Sequence, residues 1–124
     1  MTEGVTMRKL ISALAVAGVA FTGSAVAGSH GEAMIKEGQS VYHTKSRGNC
    51  IACHNIQDPI TNQAGNQGPM IIAMKARYPN KAELRAQIWD PTVKNPLTIM
   101  PPMGKHNILT EDEIDAVVEY IYQY

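Results

Sequence analysis

Two cysteines and a histidine stand together in the segment Cys50-Ile51-Ala52-Cys53-His54, and the chain contains two cysteines in all. Paired thiols at this spacing, followed directly by histidine, form the signature for covalent attachment of haem c. Two thiols about one helical turn apart can add to the two vinyl groups on one edge of a single haem. His54 would then lie under the macrocycle, where its imidazole can bind the iron. The segment therefore predicts one covalent haem c.

Other uses of the cysteine pair compete with this prediction. A redox dithiol favours a strand–helix context, whereas residues 44–49 are polar and loop-like. A zinc site needs four protein ligands, and His54 is too close to the pair for ordinary zinc spacing. A structural disulfide would suit an exported protein, but it would leave the adjacent histidine unexplained.

The second axial position of the iron needs a donor, unless it stays open. Electron-carrying cytochromes c usually combine methionine with histidine. Met100 and Met103 lie in the stiff segment Ile99–Gly104, whose two prolines reduce the freedom lost when a sulfur is held. We prefer Met100, because methionine followed directly by proline resembles the pattern of small c-type cytochromes, and we keep Met103 as the alternative. His106 is the rival histidine ligand.

A haem-binding histidine is normally oriented by a hydrogen bond from its second ring nitrogen to a carbonyl group. In small c-type cytochromes, which this chain resembles, that carbonyl lies in a Gly-Pro segment downstream of the haem motif. Gly68-Pro69 occupies the corresponding place here. We therefore expect this segment to orient His54.

The first and last predicted helices carry apolar stripes and should pack together. The first covers Glu32–His43, and Gly38 interrupts its stripe where another helix could approach closely. The last begins after Thr110, with Glu113 three residues on to complete a capping box. One face of the last helix is apolar, with two tyrosines expected at its edge. These residues are Ile114, Val117, Val118 and Ile121, then Tyr120 and Tyr124.

Two further helices are predicted between them. One opens at Pro69, and the next is capped by Asn80 and ended by Asp90-Pro91. No segment predicts a convincing strand, since four prolines interrupt the weak alternation over residues 91–102. The expected fold is all-α and small cytochrome c-like, with about four short helices and long loops around one covalent haem.

The first residues predict a secretory signal peptide. Arg8 and Lys9 precede a short apolar run, Leu10–Phe21, and then the small-x-small site Ala25-Val26-Ala27. A membrane-spanning helix would need roughly 20 apolar residues without such interruptions. We expect cleavage after Ala27, which gives a signal peptide over 1–27, a mature domain over 28–124 with no membrane span, and a periplasmic location. Translation would start at Met1 or at Met7.

Length and charge limit the number of domains and the kinds of partner. The 124 residues suffice for one domain but not for two. The chain carries 11 basic and 11 acidic side chains, so its formal net charge is zero. Nothing in this balance indicates binding to nucleic acid or to an anionic membrane surface.

Beyond the haem motif, the chain resembles the SoxX subunit of the SoxAX cytochromes of bacterial sulfur oxidation, over about Gly38–Tyr122. The haem motif is common to all c-type cytochromes, but Ile88-Trp89-Asp90 and Asn95-Pro96 are more specific. One departure is Met103, which stands where this family commonly has an aromatic residue. The matching segments are Gly48–His54, Gly68-Pro69, Met74–Tyr78, Leu84–Asp90, Asn95-Pro96, Met100–Pro102 and Ile108–Ile114.

The resemblance implies an electron-accepting subunit that forms a heterodimer with a larger haem subunit, SoxA. That complex, an L-cysteine S-thiosulfotransferase, oxidatively joins thiosulfate to a cysteine of the carrier protein SoxYZ. The substrate-handling cysteine belongs to SoxA, so this chain would contain no catalytic residue. It would pass electrons from the SoxA side to a downstream cytochrome.

Two other functions stay open. A free periplasmic shuttle to an oxidase often surrounds its haem edge with lysines, whereas Lys45, Lys75, Lys94 and Lys105 are few and scattered in the sequence. A ligand sensor or an enzyme would need an open iron position, and hence a Met100 that does not bind iron.

Overall fold

The computed structural model describes residues 26–124, with side chains from Gly28 onward. Over this range the chain contains no β-strand, and one isolated parallel bridge joins Ile56 to Ile71. The predicted all-α fold with four short helices is confirmed, while the predicted signal peptide over 1–27 lies outside the residues whose side chains are described. The α-helices are α1 (Val26–His43), α2 (Met74–Arg77), α3 (Lys81–Trp89) and α4 (Glu111–Ile121), and Cys50–Ala52 and Pro91–Val93 form single 3₁₀ turns.

Helices α1 and α4 form the main packing contact, and Gly38 lies at the point where they approach each other most closely. A methyl group added to Gly38 would overlap the backbone carbonyl of Ala116 and lie 2.7 Å from the Cβ atom of Tyr120. Val41 and Tyr42, one turn further along α1, are fully buried. The close approach predicted at Gly38 is therefore confirmed.

The start of α4 is fixed by the predicted capping box. The Thr110 hydroxyl accepts a hydrogen bond from the N–H of Glu113 at 3.2 Å, and the Glu113 carboxylate accepts one from the N–H of Thr110 at 2.9 Å. Tyr120, expected at the edge of the apolar face, is instead fully buried, because its hydroxyl has a buried partner described below. The buried residues of α4 are Ile114, Ala116, Val117, Val118, Tyr120 and Ile121.

Helix boundaries differ from the prediction at two places. In the described part of the chain, α1 already includes Val26 instead of beginning at Glu32. The helix predicted to open at Pro69 begins only at Met74, because the segment before it is used otherwise. The N–H of Ile71 donates to the carbonyl of Asn55 at 2.8 Å, so residues 69–72 pair with the segment after the haem motif.

The boundaries of α3 follow the sequence signals. The side chain of Asn80 accepts a hydrogen bond from the N–H of Ala82 at 2.9 Å, as expected of an N-cap residue. The helix ends at Trp89, immediately before Asp90-Pro91. Both boundaries are confirmed.

The close approach at Gly38 generates a stability prediction. The substitution Gly38→Ala should lower the free energy of unfolding by about 2–3 kcal/mol, because the added methyl group forces α1 away from α4. Chemical denaturation measures the change. The matched control is Gly31→Ala on the same helix, where no atom lies within 4 Å of the added methyl group. The control should be neutral or slightly stabilising, and equal effects of the two variants would contradict the prediction.

Candidate functional site

The segment that carries the two cysteines and His54 folds as one tight turn. Asn49, with φ of 47°, turns the chain into the 3₁₀ segment that begins at Cys50. The N–H groups of Cys53 and His54 then both donate to the carbonyl of Cys50, at 3.1 and 2.9 Å. Both cysteines are free thiols. The turn therefore places two thiols and an imidazole within one short stretch of backbone.

The environment of Cys50 argues against redox exchange between the two thiols. Burial, together with the neighbouring Cys53, raises the pKa of the Cys50 thiol to about 12. Because the thiolate is the reactive form in disulfide exchange, a thiol with so high a pKa is a poor redox catalyst. Across residues 28–124, no three His, Cys, Asp or Glu side chains come together as a metal site.

His54 is held from one side and open on the other. Its Nδ1 atom lies 2.7 Å from the carbonyl oxygen of Pro69, the segment predicted to orient it. Gly68 supports the ring, since a methyl group there would lie 2.5 Å from Nδ1 and 2.7 Å from Nε2. No described residue forms a hydrogen bond with Nε2. With Nδ1 carrying the proton, Nε2 presents a lone pair that suits a metal.

Large apolar side chains are exposed close to the motif. Ile60, which follows the motif closely in the chain, is 56% exposed. Residues 70–72 also lie beside the motif in space, through the hydrogen bond between Ile71 and Asn55. Exposed apolar surface of this kind marks a place that a ligand or a partner covers. The set comprises Ile60, Met70 and Ile72. Together with the free thiols and the open imidazole nitrogen, this surface fits a haem.

The two candidate sulfur ligands occupy different environments. Met100 is partly exposed, and its N–H donates to the hydroxyl of Thr98 at 3.1 Å. Met103 is 6% exposed and belongs to the hydrophobic core. The rival ligand, His106, is exposed in the loop that follows. Of the two methionines, Met100 has the side chain that is accessible to a bound group.

A hydrogen-bonded network behind His54 was not expected from the sequence. The Tyr42 hydroxyl donates to the backbone carbonyl of His54 at 2.7 Å, and the Tyr42 ring packs edge-on against Tyr120. The Tyr120 hydroxyl in turn donates to the carboxylate of Asp58 at 2.5 Å. The turn carrying His54 is thereby connected to both α1 and α4.

Asp58 is the acceptor at the centre of this network and is only 7% exposed. Besides the bond from Tyr120, its carboxylate accepts hydrogen bonds from Gln39 at 2.8 Å, from Tyr124 at 3.1 Å and from the N–H of Ile60 at 3.0 Å. The tyrosines at positions 120 and 124 were a visible signal, but nothing in the sequence identified their acceptor. Burial alone would raise the Asp58 pKa, but the hydrogen bonds outweigh it and lower the pKa to about 2.

Comparison with known proteins places these residues inside a known domain family. Residues 33–121 match the family described as cytochrome C oxidase, cbb3-type, subunit III. A protein of Aquifex aeolicus (strain VF5), named uncharacterized lipoprotein, is 31% identical over 90 residues. That alignment covers 70% of this chain and 43% of the relative, so the chain spans less than half of its relative's length. None of the helices in the described part of the chain is long and apolar enough to span a membrane.

The network predicts that Asp58 contributes to an acid-dependent loss of stability. Because its pKa in the folded protein lies below the ordinary value of 3.8, the carboxylate stabilises the fold above about pH 4. That contribution is lost as the pH falls towards 2. Asp58→Asn should therefore be less stable than the unmodified protein at neutral pH, and the gap should narrow between about pH 5 and pH 2.

Urea denaturation at a series of pH values measures this gap. The control is Glu32→Gln, which removes an exposed carboxylate from α1. A gap between Asp58→Asn and the unmodified protein that stays constant down to the lowest pH would contradict the assignment.

Proposed function

The chain belongs to the family described as cytochrome C oxidase, cbb3-type, subunit III, whose cytochrome c-type domain carries electrons on haem, and from that premise we propose that it holds one haem c covalently through Cys50 and Cys53. The observation that carries the proposal is the state of His54, which follows the two thiols directly. Its Nδ1 is bound to the Pro69 carbonyl, and its Nε2 is left open to bind iron.

The protein's own residues determine how the bound group behaves. When bound, haem supplies a site for reversible one-electron transfer. The Pro69 carbonyl fixes the tautomer and the ring orientation of His54, and Gly68 leaves room for that ring. The hydrogen bond from Tyr42 to the His54 carbonyl fixes the backbone behind it.

Met100 is our proposed second axial ligand. Its side chain is partly exposed, whereas the sulfur of Met103 is committed to the core. A thioether ligand raises the reduction potential relative to a second histidine, which suits a carrier that accepts electrons. In this assignment Met103 is a packing residue.

We propose further that the chain acts as a SoxX-like subunit in a complex with a SoxA-like haem protein. The support is the resemblance over Leu84–Asp90 and Asn95-Pro96, which is more specific than the haem motif. Both cysteines of the chain are assigned to haem, so the thiol that handles thiosulfate would belong to the partner. Electrons would leave through a downstream cytochrome. The signal-peptide prediction, together with the lipoprotein name of the Aquifex relative, supports a periplasmic location.

A free electron shuttle is the second candidate, and one structural observation favours it. Arg77 and Lys94, distant in sequence, both lie near the ring of Tyr78, at 5.9 and 5.7 Å from its centroid. Neither cation has a carboxylate partner among the described residues. Unpaired cations grouped in this way can steer an acidic redox partner.

Haem attachment is tested by expression with a c-type haem ligation system, followed by denaturing extraction. The haem should stay on the unmodified chain, whereas the double variant Cys50→Ser/Cys53→Ser should release all of it. The absorption spectrum of the haem in pyridine reports how many thioether bonds are present. Release of haem from the unmodified protein would contradict covalent attachment.

The axial assignment is tested with two substitutions that conserve side-chain volume. Met100→Leu should abolish the far-red sulfur-to-iron absorption band of the oxidised protein and allow carbon monoxide to bind the reduced protein. Met103→Leu should keep the band and cost at most about 1.5 kcal/mol of stability, because leucine fills the same core space. The reverse pattern would assign Met103 as the ligand.

The two cellular roles are separated by co-purification. The tagged mature chain, produced with a SoxA-like haem protein, should hold that partner through size-exclusion chromatography, and thiosulfate with SoxYZ should then reduce its haem. A clean monomer that rapidly reduces a purified terminal oxidase would replace the subunit role with the shuttle.

A further inference from the structure

The segment that carries Met100 is attached to the end of α3 through contacts between residues 88–90 and residues 103–105, which we call the α3–loop seam. The three consecutive N–H groups of residues 103–105 donate to the carbonyl oxygens of Ile88 and Trp89, each at 3.2 Å. The last carbonyls of a helix have no partner within the helix and need one outside it. The loop supplies these partners, and α3 in turn fixes the loop.

Side chains add two further contacts to the seam. The Lys105 ammonium lies 2.7 Å from the carboxylate of Asp90, whose side chain is 11% exposed. Asp90 is itself held in place by the N–H of Thr92, at 3.1 Å. Gly104 packs against the indole of Trp89 so closely that an added methyl group would lie 2.6 Å from the ring atom Cζ3. The seam therefore combines main-chain bonds, one ion pair and one close packing contact.

The seam limits where the Met100 side chain can be. Only Pro101 and Pro102 separate Met100 from residue 103, and Pro102 is buried. Three residues span at most about 11 Å, and each proline ring fixes one backbone angle. Met100 is therefore joined to the seam by a short segment with little backbone freedom.

We propose that Lys105, paired with Asp90, positions Met100 for binding to the haem iron, with the contact between Gly104 and Trp89 as the second anchor. This inference rests on the proposed function, since it requires Met100 to be the axial ligand. Lys105 acts through the loop and does not touch the haem group in this role. Its side chain is 53% exposed, so the ion pair holds the loop in a reversible manner.

The consequence is that the seam controls how often the sulfur leaves the iron. Added imidazole can occupy the iron only after Met100 has moved away. At saturating imidazole, the rate of entry therefore equals the rate at which the loop opens. This rate is measured from the loss of the far-red sulfur-to-iron band. Global unfolding is measured separately by far-UV circular dichroism. If Lys105 had a purely structural role, its substitution would change mainly this global stability.

The test compares Lys105→Gln with Lys36→Gln, which removes an exposed lysine of α1 that has no ion pair in the described residues. Lys105→Gln should speed imidazole entry about five-fold, the scale expected for a half-exposed ion pair. Its free energy of unfolding should fall below that of the control by no more than the equivalent of this five-fold change, because the unfolded chain also lacks the ion pair. Lys105→Arg should restore the slow rate, because arginine can also pair with Asp90. In Gly104→Ala the added methyl group would overlap the Trp89 indole, so this variant should speed imidazole entry at least about ten-fold.

The outcomes separate this inference from the function on which it rests. If the unmodified protein lacks the band and Met100→Leu changes nothing, the axial assignment and the seam proposal both fail. If Met100→Leu abolishes the band but Lys105→Gln behaves like Lys36→Gln, the axial assignment stands and the role of Lys105 is overturned. A rate for Lys105→Arg equal to that for Lys105→Gln would also overturn it.

Discussion

The buried carboxylate of Asp58 is the interaction on which the rest of the structure depends. Its four donors come from α1, from α4, from the end of the chain and from its own loop. A buried carboxylate is stable only when its hydrogen bonds are complete. Removing one donor leaves part of the buried charge without a partner, which destabilises the fold. Because Tyr120 also packs against Tyr42, the carboxylate indirectly fixes the carbonyl of His54. The geometry behind the imidazole is thus set by residues far from it in the sequence.

Ion pairs on the surface contribute less to the stability of this small domain than their number suggests. Arg47 links Glu37 of α1 to Glu113 of α4, and Arg85 links α3 to Asp115 of α4. Most members of these pairs are partly exposed, and such pairs typically contribute at most about 1 kcal/mol each. The core is small, and several large apolar side chains remain outside it. In the proposed function the haem covers part of this surface, so the cofactor completes the core as well as carrying the electron.

Local signals in the sequence predicted the local structure. The capping box at Thr110 and the cap at Asn80 each depend on residues within a few positions of one another, and the structure contains both. Gly38 was recognised because it interrupts a local apolar stripe, although the atoms that it meets lie in α4. The Gly68-Pro69 segment also orients His54 as expected. The wrong prediction of a helix start at Pro69 also came from a local signal. Proline favours a helix start, but here the residues after it form a hydrogen bond with a distant segment instead.

Contacts between distant residues were beyond the reach of sequence patterns. Asp58 and Tyr120 are 62 positions apart, and a single acidic residue gives no sign of its donors. The α3–loop seam was missed for a similar reason, since main-chain bonds between residues 88–89 and 103–105 leave no mark on residue type. Gly104 and Trp89 could have suggested it as a small residue and a large ring, but nothing in the sequence paired them.

The packing of α1 against α4 has a consequence for the speed of folding. These helices lie at opposite ends of the described chain, so their contact forms only after a long intervening segment has been closed into a loop. Residues 50–54 lie within that segment. In the proposed function, the two thiols would stay accessible to haem until the last helix packs against the first. The slow closure of the two ends would then be a period in which the cofactor could be attached.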